Sequence, residues 1–202
     1  LSFQSLGADA LLTITPYYNK ANTEGMYHHF ADVADIVDIP MVLYNVPGRT
    51  GCGISVDVLE RLAVHPKIIG IKEASGDMSY MAKIARLAND NFAIYSGNDD
   101  IIVPILSMGG SGVISVLANI MPEETHDLVM DYLNGDVIRA RDAQIKYLNL
   151  INDLFIEVNP IPVKEAMNLM GMGVGGYRLP LYPMAEANRN ILRAEMERVG
   201  LI

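Results

Sequence analysis

Short apolar runs closed by turn residues alternate along this chain with longer stretches whose apolar positions recur every three to four residues. Ala10-Leu11-Leu12-Thr13-Ile14-Thr15 reads as a strand closed by Pro16. The spacing of Met26, Phe30, Val33 and Val37 predicts a helix over 23–38, with Thr23 as its cap. Strands follow over 40–44, 68–72, 92–96 and 113–116. Helices are expected from Ser55, with Val58, Leu59 and Leu62 on one face, and over 79–88, 99–108 and 122–133. From about Asp136 onward only helical periodicity remains. One helix carries Val137, Ala140, Ile145, Leu148, Ile151 and Leu154, one starts at Asn159-Pro160, and a last one runs over about 184–199.

Strand–helix units with short links imply parallel strands joined by right-handed crossovers. The expected class is α/β, with residues 1–135 as the α/β part and 136–202 as a C-terminal helical domain. A (β/α)₈ barrel needs eight such units and five are present; three more, at roughly 30 residues each, would be required. An open five-stranded sheet is the competing architecture. Two features favour the barrel: polar residues gather at the C-terminal ends of the strands, and no glycine-rich dinucleotide turn follows the first strand.

Those polar strand ends are Tyr17-Tyr18-Asn19, Tyr44-Asn45, Lys72-Glu73 and Ser96-Gly97-Asn98-Asp99. In barrels and open sheets alike, sites form at that edge. Lys72 closes the apolar run Ile68-Ile69-Gly70-Ile71. Burial at a covered strand end disfavours the ammonium form, and a neutral amine can condense with a ketone. The alternative is a lysine that snorkels from the strand end into water. Tyr44 ends the preceding strand, where a phenol could pass protons. Arg49 follows in Val46-Pro47-Gly48-Arg49-Thr50-Gly51, a loop that Pro47 and the glycines would hold rigid, and its planar fork suits a carboxylate.

Composition narrows the classes. The chain has 202 residues, half of them apolar, and a net charge of -9. That argues against nucleic acid as a partner. The single cysteine, Cys52, precludes an internal disulfide and fits a cytoplasmic location. No apolar run has the length of a membrane span. The chain opens on Leu1 rather than Met, without a signal-peptide pattern.

Four strings occur in order: Thr15-Pro16-Tyr17-Tyr18-Asn19, Tyr44-Asn45-Val46-Pro47-Gly48-Arg49-Thr50-Gly51, Gly70-Ile71-Lys72-Glu73-Ala74-Ser75-Gly76 and Asn159-Pro160-Ile161-Pro162-Val163-Lys164. Together they resemble the dihydrodipicolinate synthase (4-hydroxy-tetrahydrodipicolinate synthase) family of the pyruvate-dependent class I aldolases, over essentially the whole chain. The resemblance implies a (β/α)₈ TIM barrel, here its last five βα units, with a C-terminal helical domain. It implies a homo-oligomer, a dimer of dimers, that condenses pyruvate with aspartate semialdehyde on the diaminopimelate route to lysine. No cofactor and no metal are expected.

Residue by residue, the resemblance puts Lys72 on the Schiff-base lysine and Tyr44 on the proton-relay tyrosine. Tyr18 falls on the tyrosine lent across the dimer interface, with Tyr17 at an interface position beside it. Arg49 falls on the arginine that binds the aldehyde substrate's carboxylate. Gly97 and Ile114 fall on positions lining the pyruvate site. The resemblance also implies a family N-terminal portion, with three strands and a Thr-Thr-Gly-Glu segment, outside these residues. Alone they are expected not to close a barrel and to have little activity. The alternatives are another aldolase of the superfamily, such as N-acetylneuraminate lyase or a 2-keto-3-deoxy sugar acid aldolase, and a non-catalytic keto-acid-binding relative.

Other signals are expected to be structural. Gly171-Met172-Gly173-Val174-Gly175-Gly176 matches a dinucleotide fingerprint in letters, but it follows a helix rather than a strand. His28 and His29 are adjacent on a helix and point in different directions. Asn98-Asp99-Asp100 reads as a cap for the following helix.

Overall fold

The computed structural model describes residues 1–202. Its elements run α1 (Ser2–Ser5), β1 (Leu11–Ile14), α2 (Thr23–Ile36), β2 (Met41–Asn45), α3 (Pro47–Thr50), α4 (Val56–Ala63), β3 (Ile68–Glu73), α5 (Met78–Ile84), β4 (Ala93–Ser96), α6 (Ile102–Ser107), β5 (Gly112–Val113), α7 (Pro122–Leu133), α8 (Val137–Asp153), α9 (Ile161–Leu169) and α10 (Glu186–Val199). By packing, the chain forms two compact units: Leu1–Asn98 with Pro104–Ile114, and Asp99–Val103 with Ser115–Ile202.

In the first unit five parallel strands lie in the order β1-β2-β3-β4-β5. That order decides between the two architectures. A doubly wound sheet reverses its strand order at a switch point and so needs helices on both faces. Strictly sequential parallel strands form the succession found in a (β/α)₈ barrel. Burial agrees with helices on one face. Met41, Leu43, Ile71 and Ile94 are fully buried, as are Phe30 of α2, Leu59 and Leu62 of α4 and Ile84 of α5. The alternate positions Val42, Tyr44, Lys72, Ala93 and Tyr95 are only half-buried. Lys72 therefore projects from the face of the sheet opposite the helices.

Glycine sets the distance between β3 and β4. A Cβ added to Gly70 would lie 2.4 Å from the carbonyl oxygen of Ala93. That oxygen belongs to the backbone and cannot step aside without spreading the two strands. Gly70→Ala is expected to cost about 1–3 kcal/mol, the range for forcing a methyl into a filled site. Urea unfolding should show a lower midpoint with little change in slope.

Helix starts follow capping chemistry. Asn22, rather than Thr23, caps α2, its side chain accepting from Gly25 N–H at 2.8 Å. Ser55 and Asp77 cap α4 and α5. The strand expected over 113–116 reduces to Gly112–Val113. The following residues leave the ladder because Asp99, only 2% exposed, accepts from the N–H groups of Val116 and Leu117. Asp99 thus caps a later turn instead of its own helix.

The second unit has its own apolar centre. Tyr147, Leu150 and Ile151 of α8, with Leu154 just beyond its end, meet Ile161, Val163 and Ala166 of α9 and Leu192 and Met196 of α10. Lys164 donates to the carbonyl of Gly176, and Asn168 to that of Gly175. The glycine-rich segment is thus fastened back onto α9, which accounts for it without a nucleotide. No helix is long and apolar enough to cross a membrane.

Candidate active site

The strand register brings Tyr44 and Lys72 together. They are direct partners between β2 and β3, in the row Ile14, Tyr44, Lys72, Tyr95 across four strands. Paired residues of parallel strands project to the same face. Lys72 Nζ lies 4.4 Å from the centroid of the Tyr44 ring. Both sit at the C-terminal ends of their strands, the edge at which sequential βα folds build sites. Burial pushes the Tyr44 phenol up from its ordinary value, and the positive charge of Arg49 opposes that shift in part. At neutral pH Tyr44 is therefore in its phenol form.

Arg49 stands on α3, a single helical turn where the sequence suggested a rigid loop. Pro47 starts the turn, and Gly51, at φ 70°, ends it in the left-handed region open to glycine. Thr50 Oγ1 donates to the carbonyl of Cys52 at 2.7 Å, which closes the bend. Gly97 sits beside Lys72: a Cβ there would lie 2.5 Å from Ala74 Cβ and 3.1 Å from Lys72 Cε. The missing side chain leaves room for the lysine stem. Gly97 N–H donates to the carbonyl of Glu73 at 2.7 Å, and Ile114 N–H to that of Ser96 at 2.9 Å. Both positions are thereby fixed to neighbouring strand ends.

Tyr17 and Tyr18 are placed differently. Beyond β1 their side chains face solvent, with 69% and 94% exposure. Tyr18 has φ 63°, an outlying backbone for a bulky residue. Within the chain the structure thus gathers Lys72, Tyr44, Gly97 and the turn of Arg49, and leaves the two tyrosines projecting from the surface.

Sequence reading named no role for the layer on the other side of these strands. Asn45 and Glu73, each 2% exposed, are register partners one residue beyond Tyr44 and Lys72. Asn45 Nδ2 donates to Glu73 Oε2 at 2.7 Å, and Ser75 N–H donates to Glu73 Oε1 at 2.6 Å. Burial pushes the Glu73 carboxyl up, against the hydrogen bonds from Ser75 and Asn45. The nearby Tyr80 hydroxyl is buried, and its phenol is raised by burial and by the charge of Glu73. The available signal was parity: period two puts Glu73 on the buried face, where a carboxylate needs partners.

A sequential parallel βα sheet with a lysine and a phenol paired at its C-terminal edge defines a class of protein, the class I, Schiff-base aldolase type of lyase. Within it the particular family is shown by sequence: the chain belongs to the Dihydrodipicolinate synthetase family, whose sequence profile matches residues 2–199. It is 55% identical over 199 residues to the 4-hydroxy-tetrahydrodipicolinate synthase of Clostridium perfringens (strain SM101 / Type A), covering 98% of this chain and 68% of that protein. The crystal structure of dihydrodipicolinate synthase from Thermotoga maritima superposes with a TM-score of 0.96 at 39% identity, covering 100% of this chain and 70% of that one. The chloride-inhibited enzyme from Acinetobacter baumannii complexed with pyruvate does so with a TM-score of 0.93 at 44% identity, covering 98% and 68%. The chain thus spans about two-thirds of the length of the relatives it matches.

Proposed function

We propose that the protein condenses pyruvate with aspartate semialdehyde to 4-hydroxy-tetrahydrodipicolinate, on the diaminopimelate route to lysine, through a Schiff base on Lys72. The observation that carries this reading is the register pair Tyr44–Lys72, with the amine over the phenol ring at the C-terminal strand edge. The family membership and the pyruvate complex of the Acinetobacter baumannii relative support it.

In this mechanism the neutral Lys72 amine attacks the ketone carbon of pyruvate, and the carbinolamine loses water to give a protonated imine. The cationic nitrogen withdraws electrons from the methyl group, which gives up a proton and becomes an enamine. The enamine carbon forms a bond to the aldehyde carbon while Arg49 holds the aldehyde's carboxylate. Tyr44 protonates the leaving hydroxyl of the carbinolamine and the new alkoxide, and Tyr18 is the next member of the relay. The substrate's amino group then adds to the imine carbon, expels the Lys72 amine and closes the ring. Gly97 and Ile114 line the pyruvate site.

The exposure of Tyr17 and Tyr18 supports an interface there, with Tyr18 serving the site of a second copy in a dimer of dimers. We assign catalysis to residues 1–135 and a helical domain to 136–202, and place the protein in the cytoplasm.

Treatment of the complete chain, with the family's N-terminal portion present, with pyruvate and borohydride, followed by peptide mass spectrometry, tests the reading. A reduced pyruvate adduct on Lys72 is expected. No adduct, or one on another residue, would remove the chemical basis of the proposal.

A further inference from the structure

We propose that the buried Asn45–Glu73 pair is a positioning device for this reaction, holding Tyr44, Lys72 and the Arg49 turn in working geometry from the opposite face of the sheet. The inference rests on the reading of Lys72 and Tyr44 given above.

The pair connects the segments of Tyr44, Lys72, Arg49 and Gly97, leaving out Ile114 and the two exposed tyrosines. Asn45 directly follows Tyr44, and Glu73 directly follows Lys72, so each shares a peptide unit with a reacting residue. Asn45 uses its amide in both senses: Nδ2 donates to Glu73 Oε2, and Oδ1 accepts from Ile54 N–H at 3.0 Å. The second bond anchors the far end of the segment 46–54 that carries Arg49. The Asn45 carbonyl accepts from Ala74 N–H at 2.9 Å, and the Glu73 carbonyl accepts from Gly97 N–H at 2.7 Å. Side chains and backbone together therefore tie the ends of β2, β3 and β4 at the level of the site.

A local irregularity gives the tie a task. β2 and β3 change register between Met41 and Val42, where Met41 faces Ile68 and Val42 faces Gly70. Pairing is uneven at the start of these strands, and a slip of one residue would turn Lys72 to the helix side. Two apolar residues at 45 and 73 would fill the layer without the cost of desolvating a carboxylate. They could not fix the relative advance of the strands or hold Ile54.

The bonding pattern supplies a reciprocal test. In Glu73→Gln one donor, either Asn45 Nδ2 or Ser75 N–H, faces an amide NH₂. Asn45 cannot flip to relieve this without losing Ile54. In the double variant N45D/E73Q every bond is restored with one direction reversed. The new amide nitrogen at position 73 donates to the new carboxylate at position 45, whose other oxygen still accepts from Ile54 N–H. The amide oxygen at position 73 accepts from Ser75 N–H. Borohydride trapping rates and steady-state kinetics, per folded molecule and well below the unfolding temperature, are measured on the intact protein and its variants. Glu73→Gln should lower the trapping rate and kcat by about 10- to 100-fold, as expected for slight misplacement of a reacting group. Asn45→Ala should in addition raise KM for the aldehyde, because the Arg49 segment loses its anchor. The double variant should recover most of the loss. Glu73→Asp, which keeps the charge but is one methylene shorter, should show the same rate defect and covers the case in which Glu73→Gln does not fold. Normal rates in either Glu73 variant, or a double variant no better than the single ones, would overturn the inference while leaving Lys72 chemistry intact. Absence of label in the unaltered protein would overturn the reading on which it rests and the inference with it.

Discussion

Lys72→Ala is expected to remove the pyruvate adduct and lower condensation on the order of 10⁶-fold, the scale seen when the nucleophile of a covalent mechanism is deleted. The geometry makes a second substitution more informative. Nζ lies 4.4 Å over the Tyr44 ring, a distance at which a cation on that side chain is attracted by the ring face. Lys72→Arg keeps a permanent cation there but offers no amine able to form a stable imine. If Lys72 acted only as a charge that orients an anionic substrate, arginine would preserve much of the rate. If it is the nucleophile, arginine and alanine should be almost equally inactive, and neither should incorporate pyruvate on borohydride reduction. Each variant should keep a cooperative thermal transition, since Lys72 is half-buried and outside the apolar layer of Leu43, Ile71 and Ile94. An arginine variant with a substantial share of normal turnover would rule out the Schiff base.

The parts of this arrangement that sequence made legible are those governed by local rules. Strand ends marked by Pro16 and Pro47, and a helix end marked by Gly109-Gly110, separate the βα units in the sequence, and helical periodicity predicts α7 with its observed bounds, Pro122–Leu133. Tyr44 and Lys72 could be placed on adjacent strand ends because consecutive βα units put consecutive strands side by side. What remained hidden depends on distant partners. The truncation of β5 follows from Asp99, whose carboxylate captures two N–H groups 17 and 18 residues away. The Asn45–Glu73 contact requires the register of β2 against β3, and that register contains an irregularity no periodicity announces. Tyr18 adopts φ 63° where composition would suggest glycine or asparagine. A bulky residue held there points to a constraint outside local propensity.

Tyr44→Phe separates proton transfer from packing. The ring and its contact with Lys72 remain, and only the hydroxyl is lost. Turnover should fall by about 10²- to 10⁴-fold, the contribution of a positioned acid–base group. The adduct on Lys72 should still form, more slowly, because imine formation needs a proton for the departing hydroxyl while the amine itself is untouched. That pattern, label retained and turnover lost, is the reverse of the one expected from the Lys72 variants. Stability should carry a second signature. Burial raises the phenol's pKa above its unfolded value of about 10, so the folded state holds this proton more tightly than the unfolded chain. The resulting stabilisation is complete below about pH 10 and is lost as pH rises through the folded-state value. Phenylalanine cannot ionise, so the stability difference between the two proteins should be constant up to about pH 10 and shift in favour of the variant above it. Tyr80 and Tyr177 are also raised by burial, but they are common to both proteins and cancel in the comparison. Unfolding midpoints in urea between about pH 8 and about pH 11 would read this directly; parallel curves throughout would mean that the Tyr44 hydroxyl sits in water and cannot be the buried proton donor the mechanism requires.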